Sequence, residues 1–216
     1  MVGRFLSGMS IVTALAIFNF TGAIEKASAG DGLPDLRNVR VAMVIAPGDF
    51  RDEELKYPYK YLKKAGADIV LACTTKEKVK GMLGTVVKPE MRVGSLKVKD
   101  LDGVIFVGGS GTKTYFDNKR VLKLARDAYK AETLIGAICL APGILAKADL
   151  LEGKRVTCYD SISGMVEQAG ARYISEKTVQ DGRIITGSGP EAAEKFGKAY
   201  VLTLSRFVKE KTGGGS

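Results

Sequence analysis

Four short apolar runs constrain the fold of this chain more than any other feature of its sequence. They occupy residues 39–46, 67–73, 103–107 and 134–138, and segments with helical periodicity separate them. A continuous apolar run of this length is typical of a strand that is buried on both faces. Buried strands that alternate with helices indicate a parallel sheet, because parallel strands need crossover connections that cover it. We therefore predict a single-domain α/β fold, with a mostly parallel sheet flanked by helices on both faces.

The remaining segments complete this alternating pattern. Residues 79–98 carry glycine and proline among alternating apolar residues, which predicts turns and short strands. Helices are predicted at 53–65, 118–131, 142–148, 161–169 and 190–209, and further strands at 155–158, 173–179 and 183–186.

The first 29 residues have the organisation of a secretory signal peptide. Arg4 precedes a mostly apolar stretch over 5–24, and the small residues Ala27 and Ala29 fit a cleavage site. An uncleaved membrane anchor at 5–24 is the alternative, because the stretch is long enough to span a bilayer. Both interpretations deliver the domain outside the cytoplasm. Cleavage would leave a periplasmic or secreted protein without stable membrane contact.

The rest of the chain divides into a short leader, one domain and a tail. Residues 30–38 are predicted to form the leader and 39–210 the folded domain, a length that suits a single core. Residues 211–216 contain three consecutive glycines and are predicted to be a flexible tail.

The 216 residues contain no histidine, which limits the possible chemistry. A Cys-His dyad, a Ser-His-Asp triad and a His-ligated metal site are all excluded within the chain, and we expect no metal and no cofactor. The three cysteines, Cys73, Cys139 and Cys158, cannot all pair within the chain. The net charge is +9, but the basic residues are scattered along predicted helices, so no nucleic-acid partner is predicted.

Cys139 lies where a predicted buried strand meets a predicted helix. Small residues surround this turn, as they do where a nucleophile is held at the carboxyl edge of a sheet. The amides at the start of the following helix would lower the pKa of the thiol, so a thiolate is predicted at neutral pH. The amide of Leu140 would also point towards an oxyanion. The alternative is a strand-end cysteine that serves as a small buried hydrophobic residue.

Four segments carry a family resemblance. Residues 137–142 (AICLAP), 50–58 (FRDEELKYP), 106–109 (FVGG) and 184–190 (IITGSGP) resemble, in order and spacing, the signature segments of the ThiJ/PfpI family. That family lies within the class I glutamine amidotransferase-like superfamily. The resemblance implies a flavodoxin-like sandwich over nearly the whole of the predicted domain.

The resemblance also implies roles for individual residues. Cys139 matches the nucleophile of the family, and Glu54 matches the acid that hydrogen-bonds the nucleophile's sulfur. Beside a thiolate, the carboxyl group of Glu54 should stay protonated, because two anions in contact repel each other. Gly109 and Leu140 match the two oxyanion-hole positions. The implied substrate pocket contains Tyr159, Gly108 and Pro190. For Tyr159 the alternative is a side chain packed in the core.

One departure from the family pattern puts classical cysteine-protease chemistry in doubt. Leu140 stands where many PfpI-type peptidases have histidine, whereas glyoxalase-like and deglycase-like members use cysteine and glutamate alone. The resemblance therefore implies an enzyme acting on a small aldehyde or a glycated substrate, assembled as a homodimer or a larger homo-oligomer. Two alternatives remain open. One is a peptidase or amidase that takes its base from a neighbouring subunit. The other is a redox sensor or chaperone with an oxidisable Cys139, which Cys158 could resolve.

Overall fold

The computed structural model describes residues 32–213. Within this range, five α-helices and eleven strands follow one another in the predicted alternation. The helices are α1 (Asp52–Lys64), α2 (Lys119–Lys130), α3 (Pro142–Lys147), α4 (Ser163–Gln168) and α5 (Ala193–Gly213). The strands are β1 (Arg40–Val44), β2 (Asp68–Cys73), β3 (Val79–Lys80), β4 (Val86–Val87), β5 (Met91–Arg92), β6 (Gly103–Phe106), β7 (Leu134–Ile138), β8 (Arg155–Val156), β9 (Arg172–Tyr173), β10 (Thr178–Asp181) and β11 (Ile184–Gly187).

Seven of these strands form the central sheet, in the order β10-β11-β7-β6-β1-β2-β5. Every pair is parallel except β10 with β11. Helices α1 and α5 pack together on one face of the sheet, and α2 and α3 pack together on the other. The predicted fold class is therefore confirmed. The pattern succeeds because the central strands are buried on both faces, so their sequence is apolar throughout.

One predicted strand is wrong. The segment 173–179 forms two strands, because β9 pairs with β8 in a separate small sheet and β10 is the antiparallel edge of the main sheet. The chain changes sheet over residues 174–177, where the hydroxyl of Thr157 donates a hydrogen bond of 2.7 Å to the Glu176 carbonyl oxygen. That contact links residues far apart in the sequence, so the local pattern could not reveal the break.

The ends of the domain also differ from the predicted boundaries. Leu36, in the predicted leader, is buried, and its amide donates to the Ala65 carbonyl oxygen at 2.7 Å. Helix α5 continues to Gly213, beyond the predicted end of the domain. The predicted signal peptide and the last three residues lie outside the described residues. Within 32–213, no helix is long and apolar enough to cross a membrane.

Tyr200 anchors α5 to the middle of the sheet. Its side chain is fully buried, and its hydroxyl donates to the carbonyl oxygen of Leu134 at 3.1 Å and to that of Val104 at 3.4 Å. A Cβ atom at Gly103 would overlap the tyrosine hydroxyl, so the strand must carry glycine there. The helix therefore approaches the sheet closely and ties together neighbouring strands β6 and β7.

We predict that Tyr200→Phe lowers the free energy of unfolding by about 1–2 kcal/mol, because it leaves buried carbonyl groups without their donor. Urea denaturation followed by circular dichroism measures the change. Lys195→Ala, at an exposed position of the same helix, is the control and should change stability by less than about 0.5 kcal/mol. Equal effects in the two variants would contradict the anchoring role.

Candidate active site

Cys139 occupies a strained turn between β7 and α3. Its φ is +64°, in the left-handed region that residues with a side chain rarely adopt. The turn is held from both sides, since the Cys139 amide donates to the Gly187 carbonyl oxygen and the Cys139 carbonyl oxygen accepts from the Tyr159 amide, both at 2.8 Å. The predicted nucleophile turn is therefore present, and neighbouring segments hold the cysteine in its conformation.

Glu54, on the first turn of α1, brings a carboxyl group to the same place. The residue is fully buried, and neither carboxyl oxygen has a hydrogen bond of ordinary geometry with any residue of 32–213. A Cβ atom at Gly108 would overlap Glu54 Oε2 and lie 2.7 Å from the Cβ of Cys139. Glycine at this position therefore lets the carboxyl group and the cysteine approach each other across the end of β6.

Burial keeps the Glu54 carboxyl group protonated. The loss of water around the side chain raises its pKa to about 8, against smaller opposing effects of the Cys139 thiol, the Gly108 amide and the Arg51 guanidinium. Neither the thiol nor the amide meets the geometry of a hydrogen bond to the Glu54 carboxyl oxygens, so both lower its pKa through their nearby partial charges. The expectation that Glu54 is protonated at neutral pH agrees with this environment.

The predicted thiolate at Cys139 is wrong for the resting site. Burial raises the pKa of the thiol to about 12, and the nearby Glu54 adds to this rise. The amides of Gly109 and Leu140 lower the pKa but do not outweigh burial, because only 6% of the cysteine surface is exposed. The amides that lower the thiol pKa are present as expected, but the tertiary structure encloses the sulfur more tightly than the sequence indicated.

The two predicted oxyanion-hole amides both face this sulfur. Gly109 has a φ of +110°, and a Cβ atom there would overlap the backbone of residues 49–51. The Arg51 amide also donates to the Gly108 carbonyl oxygen at 2.9 Å, which fixes this crossing of two loops. Leu140 is buried behind the turn and contributes its backbone, not a side chain, to the site.

The predicted pocket residues lie around the same turn. Tyr159 has 49% of its surface exposed, so the alternative that it packs in the core is wrong. The Tyr159 ring lies beside the 184–190 segment, since a Cβ atom built on Gly189 would be only 3.3 Å from Tyr159 Cδ2. Pro190 follows and begins the short 3-10 turn that leads into α5.

Two neighbouring residues were missed by the sequence analysis. Asp52 is buried and accepts hydrogen bonds of 2.8 Å from the amides of Leu83 and Thr85, which attaches the β3–β4 hairpin to the start of α1. Arg51 forms a 2.9 Å ion pair with Glu53 and contributes positive charge near the cysteine. The only local signal was three consecutive acids at a helix start, which helix-dipole interactions explain equally well.

The other two cysteines form no disulfide. Cys158 is buried, and burial raises the pKa of its thiol to about 12. Cys73 is the last residue of β2, and its sulfur lies 3.4 Å from the hydroxyl of Tyr115. Within residues 32–213, no group of three Cys, Asp or Glu side chains is arranged to hold a metal ion.

Comparison with known proteins finds a matching family model, similar sequences and a similar crystal structure. A family model described as the DJ-1/PfpI family matches residues 39–203. An uncharacterized protein of Methanocaldococcus jannaschii is 37% identical over 175 residues, which cover 80% of this chain and 85% of the relative. A glutathione-independent glyoxalase of Caenorhabditis elegans is 28% identical over 75% of this chain and 87% of its own length. The crystal structure of a ThiJ/PfpI domain protein from Brachyspira murdochii matches with a TM-score of 0.76 and 28% identity, over 79% of this chain and 98% of that one.

The names of other relatives point to two kinds of activity. A deglycase of Pyrococcus furiosus is 27% identical and is covered over 98% of its length. A Bacillus subtilis relative, 28% identical and covered over 96% of its length, carries a provisional cysteine-protease name.

We predict that Glu54→Gln flattens the dependence of stability on pH. The pKa of Glu54 rises from 4.5 to about 8 on folding, so its contribution to stability is present below pH 4.5 and is lost as the pH rises towards 8. Between pH 5 and pH 8 the melting temperature of the wild type should fall more than that of the variant, by on the order of 5 °C. Thermal melts at several pH values measure this. Glu191→Gln, at an exposed site, should follow the wild-type curve, and parallel curves for all three proteins would refute the assignment.

Proposed function

The chain belongs to the DJ-1/PfpI family, and from that premise we propose that it is a cysteine-dependent enzyme acting on small reactive carbonyl compounds, in the manner of a glyoxalase or deglycase. The observation that carries the proposal is the convergence of the strained Cys139, the buried acid Glu54 and two backbone amides at one point. Relatives named as a glyoxalase and a deglycase support it.

The first step is addition of the sulfur to an aldehyde carbon. Glu54 in its carboxylate form accepts the thiol proton, and the sulfur then attacks the carbonyl carbon. As the S–C bond forms, the C=O π bond breaks and Glu54 returns the proton to the oxygen, which gives a hemithioacetal. The amides of Gly109 and Leu140 stabilise the negative charge that develops on this oxygen.

The second step moves a proton between adjacent carbons. For a 2-oxoaldehyde such as methylglyoxal, Glu54 removes the proton of the former aldehyde carbon and delivers it to the neighbouring carbonyl carbon. The hydroxyl proton passes to the neighbouring oxygen, so a thioester of a 2-hydroxy acid results. Water then hydrolyses the thioester, releasing the hydroxy acid and restoring the thiol. No electron acceptor is needed, because one carbon is oxidised while its neighbour is reduced.

A raised pKa suits Glu54 to this work. A carboxyl group with a pKa of about 8 is present in both forms near neutral pH, so it can accept and return a proton within one turnover. We assign Tyr159, Pro190 and the backbone of Gly108 to the substrate pocket. The half-exposed Tyr159 ring stands where it can contact an entering carbonyl compound.

We also propose that the protein is exported and self-associates. The charged, apolar and small-residue pattern of residues 1–29 supports export, with a membrane anchor at 5–24 as the alternative. The intact mass of protein purified from a membrane-free fraction tests cleavage after Ala29, and light scattering tests the homodimer or larger assembly.

We predict that the purified protein consumes methylglyoxal, and that Cys139→Ser and Glu54→Gln each reduce kcat at least about 100-fold. Wild-type kcat should rise with pH towards about 8, as Glu54 loses its proton. Lactate formation is the measurement, and unchanged folding by circular dichroism is the control. Unchanged turnover in Glu54→Gln would remove Glu54 from the mechanism. No turnover by the wild type, with Cys139 oxidised readily to a sulfinate, would favour the redox sensor.

We predict no substantial peptide cleavage. A peptidase must protonate an amine leaving group, which cysteine peptidases do with histidine, and these 216 residues contain none. Assembly of identical subunits cannot supply one. Casein and fluorogenic peptides test this, with Cys139→Ser as the control for contaminating protease. Robust cleavage that vanishes in Cys139→Ser would replace the carbonyl proposal with the peptidase alternative.

A further inference from the structure

A polar cavity opens at the carboxyl edge of the sheet, beside β2 and β5. Its volume is about 300 Å³, and it is lined by Thr74, Arg92, Val93, Gly94, Ser95 and Arg120. Thr74 follows β2, Arg92 ends β5 and Arg120 lies on the first turn of α2. Strand β2 is three positions from β7 in the sheet, which puts the cavity about 14 Å from the cysteine turn along the same carboxyl edge. The cavity is therefore separate from the candidate active site.

The cavity is lined by positive charge without a counterion from residues 32–213. Neither Arg92 nor Arg120 forms an ion pair with a residue in the described part of the chain, and no acidic side chain lines the cavity. The acids nearest to them in sequence, Glu90 and Asp117, are outside the lining. Two guanidinium groups that share a cavity repel each other unless an anion lies between them.

The backbone is shaped to bring these two arginines together. A Cβ atom at Gly94 would lie 3.3 Å from Arg120 Cδ, so glycine lets the arginine stem lie against the turn after β5. The side chain of Asn118 accepts hydrogen bonds from the amides of Arg120 and Val121 at the start of α2. Those two amides are therefore satisfied within the protein, so Arg120 would reach a ligand through its guanidinium group.

We propose that this cavity binds a phosphate group, either free or as part of a small phosphorylated molecule. A guanidinium group presents two parallel N–H donors that match two phosphate oxygens, and Ser95, also in the lining, carries a hydroxyl that can add a further donor. This donor set exceeds what one carboxylate accepts, so phosphate fits better. The volume suits a small phosphorylated molecule, and the carboxyl edge of a parallel sheet is where such folds bind ligands.

Calorimetric titration of the purified protein with inorganic phosphate and with glycerol 3-phosphate, in a phosphate-free buffer, tests the proposal. We expect saturable binding of at least one of them, and Arg92→Gln and Arg120→Gln should each weaken it about tenfold or more. Arg92→Lys keeps the charge but loses the paired donors, so it should also weaken binding. Arg172→Gln, at an exposed position on β9 outside the cavity, is the matched control and should bind as the wild type does.

Tighter binding of glycerol 3-phosphate would identify a phosphorylated molecule as the occupant, and equal or weaker binding would identify free phosphate. The proposal is overturned if neither ligand binds saturably up to about 10 mM, or if Arg172→Gln weakens binding as much as Arg92→Gln. Unaltered binding in Arg92→Lys would reduce the site to general charge attraction and would overturn it as well. Both arginines are exposed, so the variants should fold, and circular dichroism checks this. Because the inference does not use Cys139, its failure would leave the proposed carbonyl chemistry untouched.

Discussion

The meeting of Glu54 and Cys139 across Gly108 is the constraint on which the candidate site depends. Helix α1, the end of β6 and the turn after β7 must all arrive at one point, and a single added carbon at Gly108 would prevent it. Their parallel neighbours in the sheet hold these elements in register, and Tyr200 ties β6 to β7 from the outer helix. The distance between the Glu54 carboxyl group and the Cys139 sulfur is therefore set by the backbone elements that carry them.

Burial at this point raises the pKa of both groups, with different consequences for their reactivity. It makes Glu54 a weak acid that can exchange its proton near neutral pH, which suits proton transfer. The same burial holds Cys139 as a thiol, although two backbone amides face the sulfur. The reactive form is then best described as a property of the pair, in which one proton moves between sulfur and carboxyl group during the reaction. The 216 residues contain no histidine that could take over the role of base from Glu54.

The carboxyl edge of the sheet carries two chemically different features, the candidate active site and the arginine-lined cavity. At β7 the environment is enclosed and uses backbone amides and one acid, whereas at β2 and β5 it is open and lined by arginine. Both places follow from the same property of parallel sheets, whose loops gather at one edge and leave the strands themselves to form the core. The scaffold can therefore carry a second binding function without disturbing the cysteine turn.

The sequence by itself determined the central strands to within two residues, the helices between them, the cysteine turn and the absence of histidine chemistry. These features depend on periodicity and turn residues, which act over a few neighbouring positions. Only the tertiary structure decided the protonation of Cys139, the split of the 173–179 strand and the burial of Leu36 in the predicted leader. It also brought Arg92 and Arg120 to one cavity. Each of these depends on how much water is excluded, or which partner is met, when distant segments pack together, and no local pattern records that.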